Sequence, residues 1–173
     1  MAFTTEAPWL GRELSESEMR QVMLDQISDK VCWRVGKYLG SMLYMDFGGV
    51  IQTRTVRRTI LVGEATLGIR DCFWILADGG RVIVDSESIT DDNAAEKLKC
   101  LEGVFLCNFV VRESNMMDLV FSNNVVLSLD ASNKYEAEDD IAEFVAPNGR
   151  IYTIRPDCVF FLAGEVDTAR FVR

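Results

Sequence analysis

From residue 31 onward the chain is cut into short runs rich in Val, Ile, Phe and Tyr, each stopped by Gly, Asn or Asp. This punctuation constrains the fold more than any other feature, because β-favouring runs bounded by turn residues are the sequence signature of successive antiparallel strands. Strands are expected near 40–47, 50–61, 66–77, 81–86, 104–112, 116–121, 125–130, 141–146, 150–155 and 158–163. Asp78-Gly79-Gly80, Asn123-Asn124 and Asn148-Gly149 supply residues that tolerate positive φ, as tight hairpins require. Gly36 to Gly40 reads as a turn between strands.

Before residue 31 the period is helical. Ser15 to Glu18 reads Ser-x-x-Glu, a capping box, with Leu14 and Met19 placed as a hydrophobic staple. A helix over about 16–28 follows, with Met19, Val22, Met23 and Ile27 on one apolar stripe and Glu16, Arg20 and Asp25 on the wet face. Between the strand groups, Asp91 to Leu101 reads as a short helix or a linker, capped by Asp91 or Asp92.

Composition sets the class. At 173 residues and 49% hydrophobic, the chain is long and apolar enough for one globular domain, 1–173, and its three prolines mark no flexible linker. The 27 acidic residues against 18 basic ones give a net charge of −9. Nucleic acid is therefore not an expected partner, since the basic residues cluster only at Arg54, Arg57 and Arg58. Histidine is absent, which removes Ser-His-Asp and Cys-His catalysis and imidazole metal sites. Five cysteines form no Cys-x-x-Cys pair and several sit in apolar runs, the pattern of buried thiols in a reducing compartment. Met1 to Gly11 has no leader pattern and no run approaches a membrane span, so a cytoplasmic protein without membrane contact is expected.

A local echo divides the chain into halves, 36–90 and 102–163. Leu43 to Ile51 resembles Asp118 to Val126, and Phe73 to Ile83 resembles Phe144 to Tyr152, the latter pair sharing a Gly-Arg hairpin exit. The expected fold is mainly β (α+β): one N-terminal helix, then two similar antiparallel β units packed as a sandwich or half-barrel.

The stretch Gly63 to Trp74, the hairpin after it, Asp85-Ser86-Glu87-Ser88 and the Asp-Leu-x-Phe strand and Pro-Asn-Gly hairpin of the second half resemble uncharacterised families of small bacterial proteins over residues 36–155. Some relatives of those families are similar to immunity proteins encoded beside toxins. The resemblance implies a bacterial protein-binding role and transfers no catalytic residue.

The densest charge feature is Glu136, Glu138, Asp139, Asp140 and Glu143. Such a run ordinarily forms a solvated loop; its functional reading is an electrostatic surface for a basic partner, since it lacks the spacing of a calcium loop. Asp85, Glu87, Asp91 and Asp92 have an adequate reading as turn and cap residues. Asp71 shares a strand face with Phe73 on strict alternation and so needs a cross-strand cation or a strand end, or else lines a pocket. No phosphate-binding glycine loop, dinucleotide fingerprint or nucleophile elbow is present. With no catalytic, cofactor or metal residues to name, the expected function is a non-enzymatic acidic module, an immunity-type inhibitor or adaptor binding a basic protein such as a cognate toxin through residues 136–143. The alternatives are a small-molecule-binding β domain with its pocket between the halves, and a histidine-free Asp/Glu hydrolase or lyase. Homo-oligomerisation stays open.

Overall fold

The computed structural model describes residues 11–38, 40–54, 59–70, 72–88, 93–113, 115–132, 140–165 and 171–172. In chain order the strands are β1 (Arg12–Leu14), β2 (Cys32–Lys37), β3 (Leu43–Arg54), β4 (Thr59–Ile69), β5 (Phe73–Asp78), β6 (Arg81–Asp85), β7 (Leu106–Glu113), β8 (Met116–Phe121), β9 (Val125–Asp130), β10 (Ala142–Val145), β11 (Arg150–Ile154), β12 (Phe160–Glu165) and β13 (Phe171–Val172). They form an eight-stranded sheet ordered β1-β12-β11-β10-β4-β3-β13, in which β2 also pairs with β3, and a five-stranded sheet ordered β6-β5-β9-β8-β7. Each of these pairings is antiparallel.

Helix α1 (Glu16–Ile27) forms as its sequence predicts. Ser15 Oγ accepts the Glu18 N–H at 3.2 Å while the Ser15 N–H donates to Glu18 Oε2 at 2.8 Å. Those bonds, the backbone one foremost, hold the Glu18 carboxyl below its usual range. Capping contributes about 0.5–2 kcal/mol. Burial of Met19, Met23 and Ile27, at about 1.5–3 kcal/mol for each side chain, contributes more, so packing anchors the helix. Arg20, expected on the wet face, donates Nε to the Phe109 carbonyl at 2.9 Å and so closes part of the open edge of β7.

Alternation fills one buried cluster from both sheets. Met117, Leu119 and Phe121 of β8 and Val125, Leu127 and Leu129 of β9 are buried in the same cluster as Phe47, Leu67 and Phe144 of the larger sheet. Phe109 meets Phe160 edge-on at 5.6 Å, and Trp74, fully buried, donates Nε1 to the Ser41 carbonyl at 2.7 Å. The first contact crosses from one sheet to the other, and the second ties β5 to the turn that precedes β3.

Several features depart from expectation, among them the expected strands 50–61 and 66–77, each of which divides between two strands, β3 and β4 in the first case and β4 and β5 in the second. A second helix, α2 (Ala94–Leu98), extends into a 3-10 turn over Lys99–Leu101; its N-cap is Asn93, without a side-chain cap, while Asp91 and Asp92 lie outside the described residues. The turn expected over Gly36 to Gly40 lies at its far end: Gly36 and Lys37 belong to β2, where a Cβ on Gly36 would stand 2.5 Å from the Tyr44 phenol oxygen, while Gly40 at φ +60° sits in the turn before β3. Gly48 and Gly49 do not turn the chain either: opposite Glu64 they form a bulge inside the continuous strand β3, with Gly48 at φ +78°. Finally, each sheet takes strands from both sequence halves, so the halves are not two separate β units. What the echo captured is turn chemistry. Gly79 and Gly80 at φ +53° and +85° close β5–β6 in a two-residue hairpin, and Gly149 at +83° serves β10–β11. Among the described residues no helix is long and apolar enough to cross a membrane.

Candidate functional site

The carboxylates singled out in the sequence do not act as one described patch. Glu136, Glu138 and Asp139 lie outside the described residues, as do Asp71, Arg57 and Arg58. Asp140 is half-buried just before β10. Glu143, on β10, accepts from Arg70 Nη2 at 3.0 Å. It stands in the cross-strand row Thr153, Glu143, Gly68, Tyr44 on the outer face of the larger sheet. Its charge is thus spent on a cation of its own sheet, a half-exposed pair worth roughly 0–1 kcal/mol. Asp85 does what a turn residue does: Oδ1 accepts the Ser88 N–H at 2.8 Å and the Glu87 N–H at 3.0 Å, and the Ser88 bond leads in holding its carboxyl below the usual range.

The five-stranded sheet presents an outer face that is unusually apolar for one turned away from a core. One cross-strand row reads Asn108, Val120, Val126, Ala77, Val82; the next reads Val110, Asp118, Ser128, Ile75, Asp85; a third reads Met116, Asp130, Phe73. The central strands β5, β8 and β9 make their principal contacts with one another and with β6 and β7. Val82 is 52% exposed. Amid the valines, Asp118 Oδ1 accepts from Ser128 Oγ and from Arg112 Nη2, both at 2.7 Å. Asp85 and Asp130 add negative charge to the face, while Asp118 is paired with Arg112. The signal in the sequence was that β5 and β8 are apolar at both parities, as in Phe73-Trp74-Ile75-Leu76-Ala77.

The larger sheet carries a cleft of about 660 Å³ on its outer face, lined among others by Arg34, Lys37, Tyr38, Tyr44, Ile60 and Val62. Beside the Gly48-Gly49 bulge, the Gly63 N–H and the Leu61 C=O of β4 bond side chains. Asp46, 1% exposed, accepts the Gly63 N–H at 3.0 Å and Thr66 Oγ1 at 2.7 Å on Oδ1, and Arg34 Nε at 2.7 Å on Oδ2. Arg34 Nη2 in turn donates to the Leu61 carbonyl at 2.7 Å. The guanidinium lies 4.8 Å from the Trp33 ring centre and 5.2 Å from that of Tyr44. This pair was missed in the sequence, although an isolated Asp within Leu43-Tyr44-Met45-Asp46-Phe47 already called for a cation. The cleft is built from residues 34–70 and does not lie between the sequence halves.

Three of the thiols, Cys32, Cys100 and Cys158, are unsuited to nucleophilic work. Burial pushes Cys32 up to about 12 and Cys158 up to about 11, and raises Cys100 in the same direction, so each stays protonated at neutral pH. Among the described residues no disulfide forms, and no group of His, Cys, Asp or Glu is placed to hold a metal ion. No family model, curated protein or solved structure matches the chain.

Proposed function

We propose that this chain is a non-enzymatic, acidic protein-binding module, an immunity-type inhibitor or adaptor that masks a basic partner surface. The observation that carries the reading is the outer face of the five-stranded sheet, where Val110, Val120, Val126, Ile75 and Val82 surround and flank an acidic network. A solvated antiparallel face is ordinarily polar, and an apolar one rimmed by charge has the anatomy of an interface: a centre that desolvates and a rim that selects.

Charge selects the partner. Asp85 and Asp130 on this face, on a chain of net charge −9, favour a surface bearing Lys and Arg and disfavour a second copy of the chain. Asp130 ends β9, and the run through Glu136, Glu138, Asp139 and Asp140 follows in the same connection to β10, adding to the field that draws the partner in. Glu143 belongs to the other sheet and is left out of the contact.

In this reading the two sheets stack as a sandwich, supported by the Phe109–Phe160 contact and the shared core, so the binding face and the cleft look away from each other. The protonated thiols suit a reducing, cytoplasmic setting, and a cognate toxin is the kind of partner that fits. The test is calorimetric titration of the purified chain with the product of the neighbouring gene at low and high salt. Binding that weakens with salt and with Asp85→Asn/Asp130→Asn, which keep the turn acceptors and remove the charge, supports the proposal. Absence of binding, or binding indifferent to both, contradicts it.

A further inference from the structure

The cleft on the larger sheet is independent of that reading and carries its own argument. On a chain with a net charge of −9, its lining holds three cations, Arg34, Lys37 and Arg70, of which Arg34 is paired with the buried Asp46 and Arg70 with Glu143 at its margin. Arg34 keeps a third of its side chain exposed while Asp46 and the Leu61 carbonyl fix its orientation. Around these cations the walls are apolar or aromatic, with Tyr38, Met42, Tyr44, Ile60 and Val62. A volume of about 660 Å³ lies within the range of roughly 300–1,000 Å³ typical of small-molecule sites.

Gly68 adds an observation that points to an occupant. A glycine inside a strand weakens it by roughly 0.5–1 kcal/mol and ordinarily marks a special φ or the close approach of something else. Gly63 has such a reason, since a Cβ there would stand 2.6–2.8 Å from the backbone of Ala65 and Phe47. Gly36 has one in the Tyr44 ring, 2.5 Å from its would-be Cβ. Gly68 has none within the protein: its φ is ordinary, and the nearest atom to a Cβ would be the Glu143 carbonyl oxygen, 3.9 Å away. It lines the cleft beside Tyr44 and leaves open space that no side chain of the chain fills.

We propose that this cleft binds a small organic anion with an apolar body, the anionic group set among Arg34, Lys37 and Arg70 and the body lying over Gly68 between Tyr44 and the Ile60–Val62 wall. The probe is 8-anilinonaphthalene-1-sulfonate, compared with N-phenyl-1-naphthylamine, the same ring system without the sulfonate, by fluorescence titration. The expected result is one saturable site that prefers the sulfonate by about tenfold, the contribution of one charge-assisted contact. Gly68→Leu, which fills the open space, abolishes the site. Lys37→Glu, an exposed change that leaves the core untouched, weakens sulfonate binding and spares the neutral probe. Val126→Lys, on the other sheet, changes nothing. Equal affinity for the two probes overturns the proposal, as does binding that survives Gly68→Leu in a chain with wild-type circular dichroism, or binding lost in Val126→Lys. If Gly68→Leu does not fold, the Lys37→Glu comparison decides alone: unchanged sulfonate binding contradicts the site.

Discussion

Asp46 and Arg34 face each other across the β2–β3 pairing, with Arg34 Nε 2.7 Å from Asp46 Oδ2, and together they bond the Gly63 N–H and the Leu61 carbonyl of β4. The pair therefore holds the ladder and shapes the cleft at once. A carboxylate 1% exposed beside a guanidinium a third exposed is an asymmetric arrangement: only one partner can return to water without moving.

From that asymmetry, Arg34→Met strands a buried carboxylate and is expected to cost about 3–5 kcal/mol in chemical denaturation. Glu143→Gln, which removes the half-exposed partner of Arg70, is expected to cost less than about 1 kcal/mol. Comparable costs for the two would show that Asp46 is hydrated in solution.

A second pair of variants separates two glycines on β4. Gly63→Ala places a methyl group against backbone atoms of Ala65 and Phe47 that cannot yield cheaply, so a loss of about 1–3 kcal/mol is expected. Gly68→Ala meets open space and restricts only the unfolded chain, so it is expected to be neutral or stabilising by about 0.4–1 kcal/mol. Thermal or urea unfolding reads both, and a destabilised Gly68→Ala would mean that the floor of the cleft is already filled.

Thiol chemistry gives a third. Cys107 is exposed while Cys32, Cys72 and Cys158 are buried, so a disulfide reagent is expected to label Cys107 at once and those three only on unfolding. Cys32 also sets an alkaline limit. Its pKa rises from an ordinary value of 9.0 to about 12 in the folded chain, so its contribution is fully present below pH 9.0 and drains as pH climbs to about 12, because the unfolded chain ionises first. Cys32→Ala is expected to flatten that alkaline limb of the stability curve. An unchanged limb would place the loss on other groups.

Local chemistry was legible and long-range chemistry was not. The α1 cap was visible because Ser15 and Glu18 are three residues apart, and the β5–β6 and β10–β11 turns because Gly79, Gly80 and Gly149 accept positive φ. Strand β2 was hidden because Gly36 reads as a turn residue until Tyr44 is seen to lie over it. The bulge at Gly48-Gly49 was read with the turn-like Asn123-Asn124 because both offer residues at positive φ; what opposes them, Glu64 in one case and a chain reversal in the other, is a tertiary fact. The acidic run was legible as charge, but the bond from Arg70 to Glu143 was not, since the two lie 73 residues apart. The apolar outer face of β5, β8 and β9 emerges only once Val120, Val126 and Ala77 stand in one row.

The central claim is that this row is where a basic partner sits, and the most direct measurement is the dissociation constant of the purified partner for Val120→Lys/Val126→Lys against the wild-type chain. Two cations at the centre of a desolvated face, opposed to cations across it, are expected to weaken binding by about a hundredfold or more, with the melting temperature of the free chain nearly unchanged. An unaltered dissociation constant in that folded variant would contradict the account.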